Sequence, residues 1–198
     1  MGTTTRALIV IAALALLAGC RFDNPLTSHP SKDLNTWLLG VWEYKDEKGI
    51  VHKATVTPKT GDRYWVNVQK LGTRKSPTKV YVFEAWVSRV GNSSFLTLQA
   101  LQTPGDIPID SYVFTHFQVL SQNFVRIRIP QLGSDPSASS YELRKEIRYR
   151  LKDGSLYSDA GSDWERISEV YWSTGDEPQP FQPLRFPEQE IVEQESVE

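Results

Sequence analysis

Thiol chemistry is nearly absent from this sequence. Cys20 is the one cysteine among 198 residues, so no disulfide can close within the chain and no thiolate cluster can hold a metal. The three histidines, His29, His52 and His116, show neither His-x-His nor His-Glu-x-x-His spacing, and a zinc site needs three or four converging ligands. No Gly-x-Ser-x-Gly elbow, phosphate loop or dinucleotide fingerprint occurs, so neither serine hydrolysis nor nucleotide chemistry has a local signature. Glu84 and Asp110 would suit glycosidic chemistry only inside one cleft, and nothing in their spacing brings them there. The expectation is a protein that is not an enzyme, with no catalytic residue, no metal and no cofactor. A strong charge of one sign is also missing. Residues 20–174 carry 20 Lys and Arg against 17 Asp and Glu, too balanced to suggest a nucleic-acid partner. Residues 175–198 differ, with one arginine, seven acids and four prolines. They read as an acidic, disordered or loosely attached tail, with Phe181, Leu184 and Phe186 as apolar points that can dock on the body.

A long hydrophobic run is missing too. Residues 7–18 form an unbroken apolar run of twelve residues after Arg6, whereas a bilayer-spanning helix needs about 20. The length suits the apolar centre of an export signal. The run ends Leu17-Ala18-Gly19-Cys20, which resembles the lipobox of bacterial lipoproteins. That resemblance implies a signal peptide over 1–19, cleavage before Cys20, a diacylglyceryl group on its thiol and acylation of its freed amine. The partner is then a lipid bilayer. Each buried methylene contributes about 0.8 kcal/mol, so two or three chains hold firmly where one holds marginally. Residue 21 is Arg rather than Asp, which by resemblance to enterobacterial lipoproteins implies the outer membrane, facing the periplasm. Residues 20–33 are polar and carry Pro25 and Pro30; they read as a lipidated tether that lifts a domain off the membrane.

What is abundant is aromatic residues, at 11% of the chain, and these favour strands. Residues 34–174 read as one domain of short β-rich runs with turn residues between them. Strands are predicted over 37–44, 50–57, 63–70, 79–90, 95–101, 112–120 and 124–129, with an eighth over 164–172. Hairpin spacing without a βαβ rhythm predicts an antiparallel meander, which closure into a barrel relieves of its edges. One helix precedes the last strand. Ser139 and Glu142 fit a capping box, Leu143, Ile147 and Leu151 make an apolar stripe, and Asp153-Gly154 ends it. The fold class is therefore mainly β, an eight-stranded antiparallel barrel with one helix.

Gly40-Val41-Trp42 resembles the Gly-x-Trp signature of lipocalins and the wider calycin group, over roughly residues 36–172 of the chain. The resemblance implies that Trp42 plugs the closed end of the barrel and that an arginine of the last strand, here Arg166, lies over its ring as a cation–π pair. Lipocalins place their main helix after the last strand; here the helix comes before it. The resemblance also implies a small apolar or amphiphilic ligand, for which Tyr64, Tyr81, Phe83, Trp86, Tyr112 and Phe114 are the candidate lining. An eight-stranded barrel is either filled by side chains or just wide enough for one small ligand. The first case predicts a structural or interaction lipoprotein of the cell envelope. The second predicts an apolar cavity of about 300 Å³ or more. Arg126, Arg128, Arg144, Arg148 and Arg150 crowd one stretch and form either a solvated face or a site for an anionic partner such as lipid headgroups.

Overall fold

The computed structural model describes residues 21–30, 36–59, 61–72, 77–158 and 161–168. The predicted export signal 1–19, Cys20, the end of the predicted tether and the acidic tail lie outside the described residues. Among the described residues, nine strands and one α-helix form. They are β1 (Arg21–Phe22), β2 (Gly40–Lys45), β3 (Val51–Pro58), β4 (Arg63–Lys70), β5 (Lys79–Val90), β6 (Ser93–Gln102), β7 (Tyr112–Ser121), β8 (Phe124–Arg128), helix α1 (Ser140–Asp153) and β9 (Ser162–Ser168). The pairings run antiparallel in the order β7-β6-β5-β4-β3-β2-β9-β8, and β8 returns to β7. Eight strands thus close a barrel, which satisfies the backbone groups that an open sheet leaves on its edges. β1 lies outside the ring, on the edge of β7, with Phe22 opposite Tyr112.

Alternation along the strands sorts the apolar residues into two clusters. Tyr81, Phe83, Ala85 and Val87 of β5 meet Leu96, Leu98 and Ala100 of β6 inside the barrel, together with Trp42, Val56, Tyr64, Val66, Val113, Phe117 and Val125. The second cluster lies on the outer wall. Phe95 and Phe114 are covered there by Leu143 and Ile147 of α1, by Leu156, and by Phe22 and Leu26. Helix α1 forms where the sequence predicts. The Ser139 hydroxyl accepts from Glu142 N while the Glu142 carboxylate accepts from Ser139 N, and Gly154 ends the helix at φ 78°.

Three expectations need correction. Trp37, predicted to open the first barrel strand, sits in a 3-10 turn over Thr36–Leu38, and the strand starts at Gly40. Gly40 has φ 137°, and this turn of the backbone separates the two elements. Residues 21–30, predicted as part of a polar tether that lifts the domain off the membrane, are docked on the body. Phe22 and Leu26 are buried at 2% and 0% exposure, and Asp23 N donates to Pro136 O at 2.8 Å. Two apolar side chains in a polar stretch suffice, because burying each removes it from water and the backbone gains partners. The closing strand begins at Ser162, two residues early, and is described to Ser168; the rest of its predicted span lies outside the described residues.

Candidate functional site

The ends of the barrel carry the chemistry-bearing side chains. At the lower end the chain enters β2. Trp42 faces Arg166 across the β2–β9 pair, and the Arg166 guanidinium lies 4.7 Å from the Trp42 ring centroid. Trp42 Nε1 donates to Leu38 O at 2.9 Å, and Arg166 also donates to Trp37 O. The 3-10 turn, the indole and the guanidinium therefore form one plug. Gly40 is needed for it. A Cβ there would stand 2.9 Å from Ser168 O and 3.4 Å from Arg166 Nε. Outside the plug, Trp37, Leu120, Phe124 and Ile167 remain 51%, 41%, 42% and 47% exposed. Trp37 and the β7–β8 turn, from Val119 to Gln122, line a shallow surface groove.

The upper end is closed differently. Residues 103–111, between β6 and β7, cross over the mouth and insert Ile107 into the interior cluster at 1% exposure. Asp106 ties this strap to β5: its carboxylate accepts from Tyr81 Oη at 2.7 Å and from Lys79 Nζ at 3.0 Å. Burial pushes the Asp106 carboxyl up, but those two donors outweigh it and hold the group below its ordinary value. Burial and the same carboxylate push the Tyr81 phenol up. Thr103 Oγ1 donates to Ile107 O at 2.6 Å, which shapes the strap from within.

The six candidate ligand-lining aromatics do not converge on one space. Tyr64, Tyr81 and Phe83 point into the barrel. Trp86, Tyr112 and Phe114 lie on its outer wall, where Trp86 meets Tyr112 edge-on at 6.0 Å and Phe114 stacks on Phe22 at 5.2 Å. Trp86 Nε1 donates to Thr27 O at 3.2 Å. The docked N-terminal segment thus covers these outer rings. Period-two alternation along β5 and β7 requires this split. Inside, Tyr64, Ala85 and Ala100 are at 0% exposure, and Tyr81 and Phe83 at 4% and 5%. Water touches almost none of their surface, either from the mouth or from an internal void, so the interior around them is filled by side chains. The groove beside Trp37 and a second hollow along α1 are both lined by residues outside the interior cluster.

No known protein family, characterised protein or solved structure matches this chain. The functional reading therefore rests on its own residues. Among the described residues, no three His, Cys, Asp or Glu side chains gather to hold a metal ion, and no helix is long and apolar enough to cross a membrane. His52 Nε2 lies 3.3 Å from Asp46 Oδ2. His116 is packed between Phe95 and Tyr157, at 5.2 and 5.4 Å. Burial first, and then Arg128, hold its pKa below the ordinary value. Glu84 accepts from Lys59 and Arg63, both at 2.5 Å, whereas Asp110 accepts from Gln99 at 3.4 Å. The two carboxylates have different partners.

The arginine-rich stretch is dispersed. Arg126 pairs with Asp163 through two hydrogen bonds of 2.6 and 2.8 Å, and Arg150 with Glu146 at 2.6 Å. Arg144 donates to Leu26 O at 2.9 Å, and Arg128 lies 5.4 Å from the Tyr157 ring. Of the five, Arg148 is the exposed one, and it lies on α1. Two features escaped the sequence reading. The strap, with Asp106 and Ile107, follows Pro104 in a stretch without periodicity. The apolar lower end is assembled from three separate segments.

Proposed function

We propose that this chain is a lipid-anchored, non-catalytic interaction protein of the cell envelope, held to the outer membrane through Cys20 and presenting the lower end of a plugged barrel to a protein partner. The observation that supports this reading is the near-complete burial of Tyr64, Tyr81, Phe83 and Ile107 inside the barrel. Trp42 and Arg166 close one end and Ile107 the other, so the molecule's remaining recognition chemistry is on its surface. Trp37, Leu120, Phe124 and Ile167 supply an apolar patch there, of the kind that marks protein contacts when grouped. The Leu17-Ala18-Gly19-Cys20 motif supports the anchor. The Trp42–Arg166 pair supports the likeness to the calycin barrel, but a small apolar ligand would have to displace Ile107 and unfasten Asp106 before entering.

The test begins with the protein purified from its own membranes. Mass spectrometry of the N-terminal peptide is expected to show Cys20 at position one with diacylglyceryl and acyl additions; a chain that keeps residues 1–19 overturns the anchor. Crosslinking from Trp37 or Phe124 is expected to capture one envelope protein reproducibly, and Phe124→Ser to abolish that capture. Copurification of an apolar compound in stoichiometric amount would replace the filled-barrel reading by the ligand-binding one.

A further inference from the structure

Helix α1 has a face that its packing does not explain. At about 100° per residue, Tyr141, Lys145, Arg148, Tyr149 and Lys152 fall within one sector of about 100°, opposite the buried Leu143 and Ile147. The two tyrosines are 65% and 70% exposed, and the three cations are exposed as well. Three acidic groups belong to the same helix, and each is engaged locally. Glu142 accepts from Ser139 N and Oγ at 2.8 and 2.7 Å. Glu146 accepts from Gly133 N and Arg150 Nε as well as from Ser134. Asp153 accepts from Ser155 N and Oγ at 2.9 and 2.6 Å. The outward stripe is therefore cationic and aromatic.

The position of this face relative to the chain start gives it a meaning. Arg21 is already paired to Val113 in β1, so in sequence Cys20 directly precedes a fixed strand. Asp23 N donates to Pro136 O at 2.8 Å, and Asn24 Nδ2 donates to the carbonyls of Ser137 and Ala138, both at 3.2 Å, just before α1 begins. Arg144 of α1 reaches back to Leu26 O. The segment after Cys20 thus runs along the flank of α1, with no spacer to let the helix swing away. Resting on the anchor proposed above, we infer that the Tyr141–Lys145–Arg148–Tyr149–Lys152 face of α1 docks on an anionic bilayer surface beside the acylated cysteine. The cations meet the negative headgroups, and tyrosines suit the interface because one end of the ring is apolar and the other is wet. The acyl chains hold the protein at the membrane, and the basic face fixes how the domain lies on it.

The purified, acylated full-length product, reconstituted in phosphatidylcholine vesicles with and without phosphatidylglycerol, tests this. Lys145 and Lys152 are expected to react several-fold more slowly with a water-soluble amine reagent in the anionic vesicles, with Lys48 in the β2–β3 turn unchanged as the internal control. High salt is expected to restore their reactivity. Lys145→Gln, Arg148→Gln and Lys152→Gln together remove three surface cations, each worth about fivefold at an anionic membrane. Without acylation, the full-length Cys20→Ser chain carrying these changes is expected to partition onto anionic vesicles on the order of 100-fold more weakly than Cys20→Ser alone. Lipid on Cys20 with equal labelling in both vesicle types overturns the docking and leaves the anchor standing. A bare Cys20 overturns both. Protection that persists without vesicles points to a protein contact and also overturns it.

Discussion

The lower and upper ends of the barrel are both closed, by different physical means. The lower plug is made of a glycine at positive φ, an indole and a guanidinium, and it is joined to strands on both sides. The upper plug is one isoleucine on a strap of nine residues, fastened by a carboxylate. The first is part of the sheet and opens only if the sheet opens. The second hangs on a loop, so it is the natural place for local opening with few buried contacts to lose. An end built into the wall is suited to present a fixed surface, as Trp37, Leu120, Phe124 and Ile167 do. An end closed by a strap is where any access to the interior would have to begin.

That contrast can be broken from the lower end first. Trp42→Ala removes the plug and strands Arg166 over a void; the expected loss is about 4 kcal/mol in urea unfolding. An unfolding midpoint close to that of the parent would show that the indole is not structural. Ile107→Ala empties the upper plug. Because a loop can settle into the space, a smaller loss of about 2–3 kcal/mol is expected, and hydrogen exchange is expected to rise in residues 103–111 before it rises in β2 and β9. Uniform acceleration through the barrel would erase the distinction between the ends. Gly40→Ala places a Cβ against Ser168 O in a backbone conformation that side chains rarely adopt, and about 2 kcal/mol is expected to be lost, read as a fall in thermal midpoint.

Asp106→Asn sharpens the comparison most finely. It keeps the acceptor for Tyr81 but removes the charge that faces Lys79, for an expected cost of about 1 kcal/mol confined to the strap. The pH dependence has a definite sign. The folded carboxyl titrates below its ordinary value of 3.8, so the carboxylate's contribution is complete above that value and is lost as pH falls through the lower folded value. Exchange protection of the strap is therefore expected to hold down to about pH 4 and to fail below it, while the Trp42–Arg166 cation–π contact involves no carboxylate and is expected to keep its protection. In Asp106→Asn that acid-triggered step is expected to vanish. Smallest of all for stability, Leu120→Ser with Phe124→Ser changes exposed positions and is expected to shift the unfolding free energy by no more than about 0.5 kcal/mol, while abolishing partner capture.

Much of this architecture was legible in the residues taken one segment at a time. Alternation along 63–70 marked β4 to the residue, because a half-buried strand must alternate, and the β-rich run 79–90 matched β5. Ser139, Glu142 and Gly154 marked the helix ends, because orphan backbone groups need local partners. The pairing of Trp42 with Arg166 followed from a resemblance and not from periodicity. Closure required β9 to pair with both β2 and β8, joins between strands far apart in the chain that no local pattern encodes.

Local sequence determined which residues form strands and where the helix starts and stops, since these depend on neighbours within a few positions. Tertiary structure decided the rest. It sent Trp86, Tyr112 and Phe114 outside the wall while Tyr64, Tyr81 and Phe83 went in, folded the expected tether onto α1, and dropped Ile107 into the mouth. Each of those outcomes depends on which distant surface needs covering, and that is settled only when strands far apart in the chain have closed on one another.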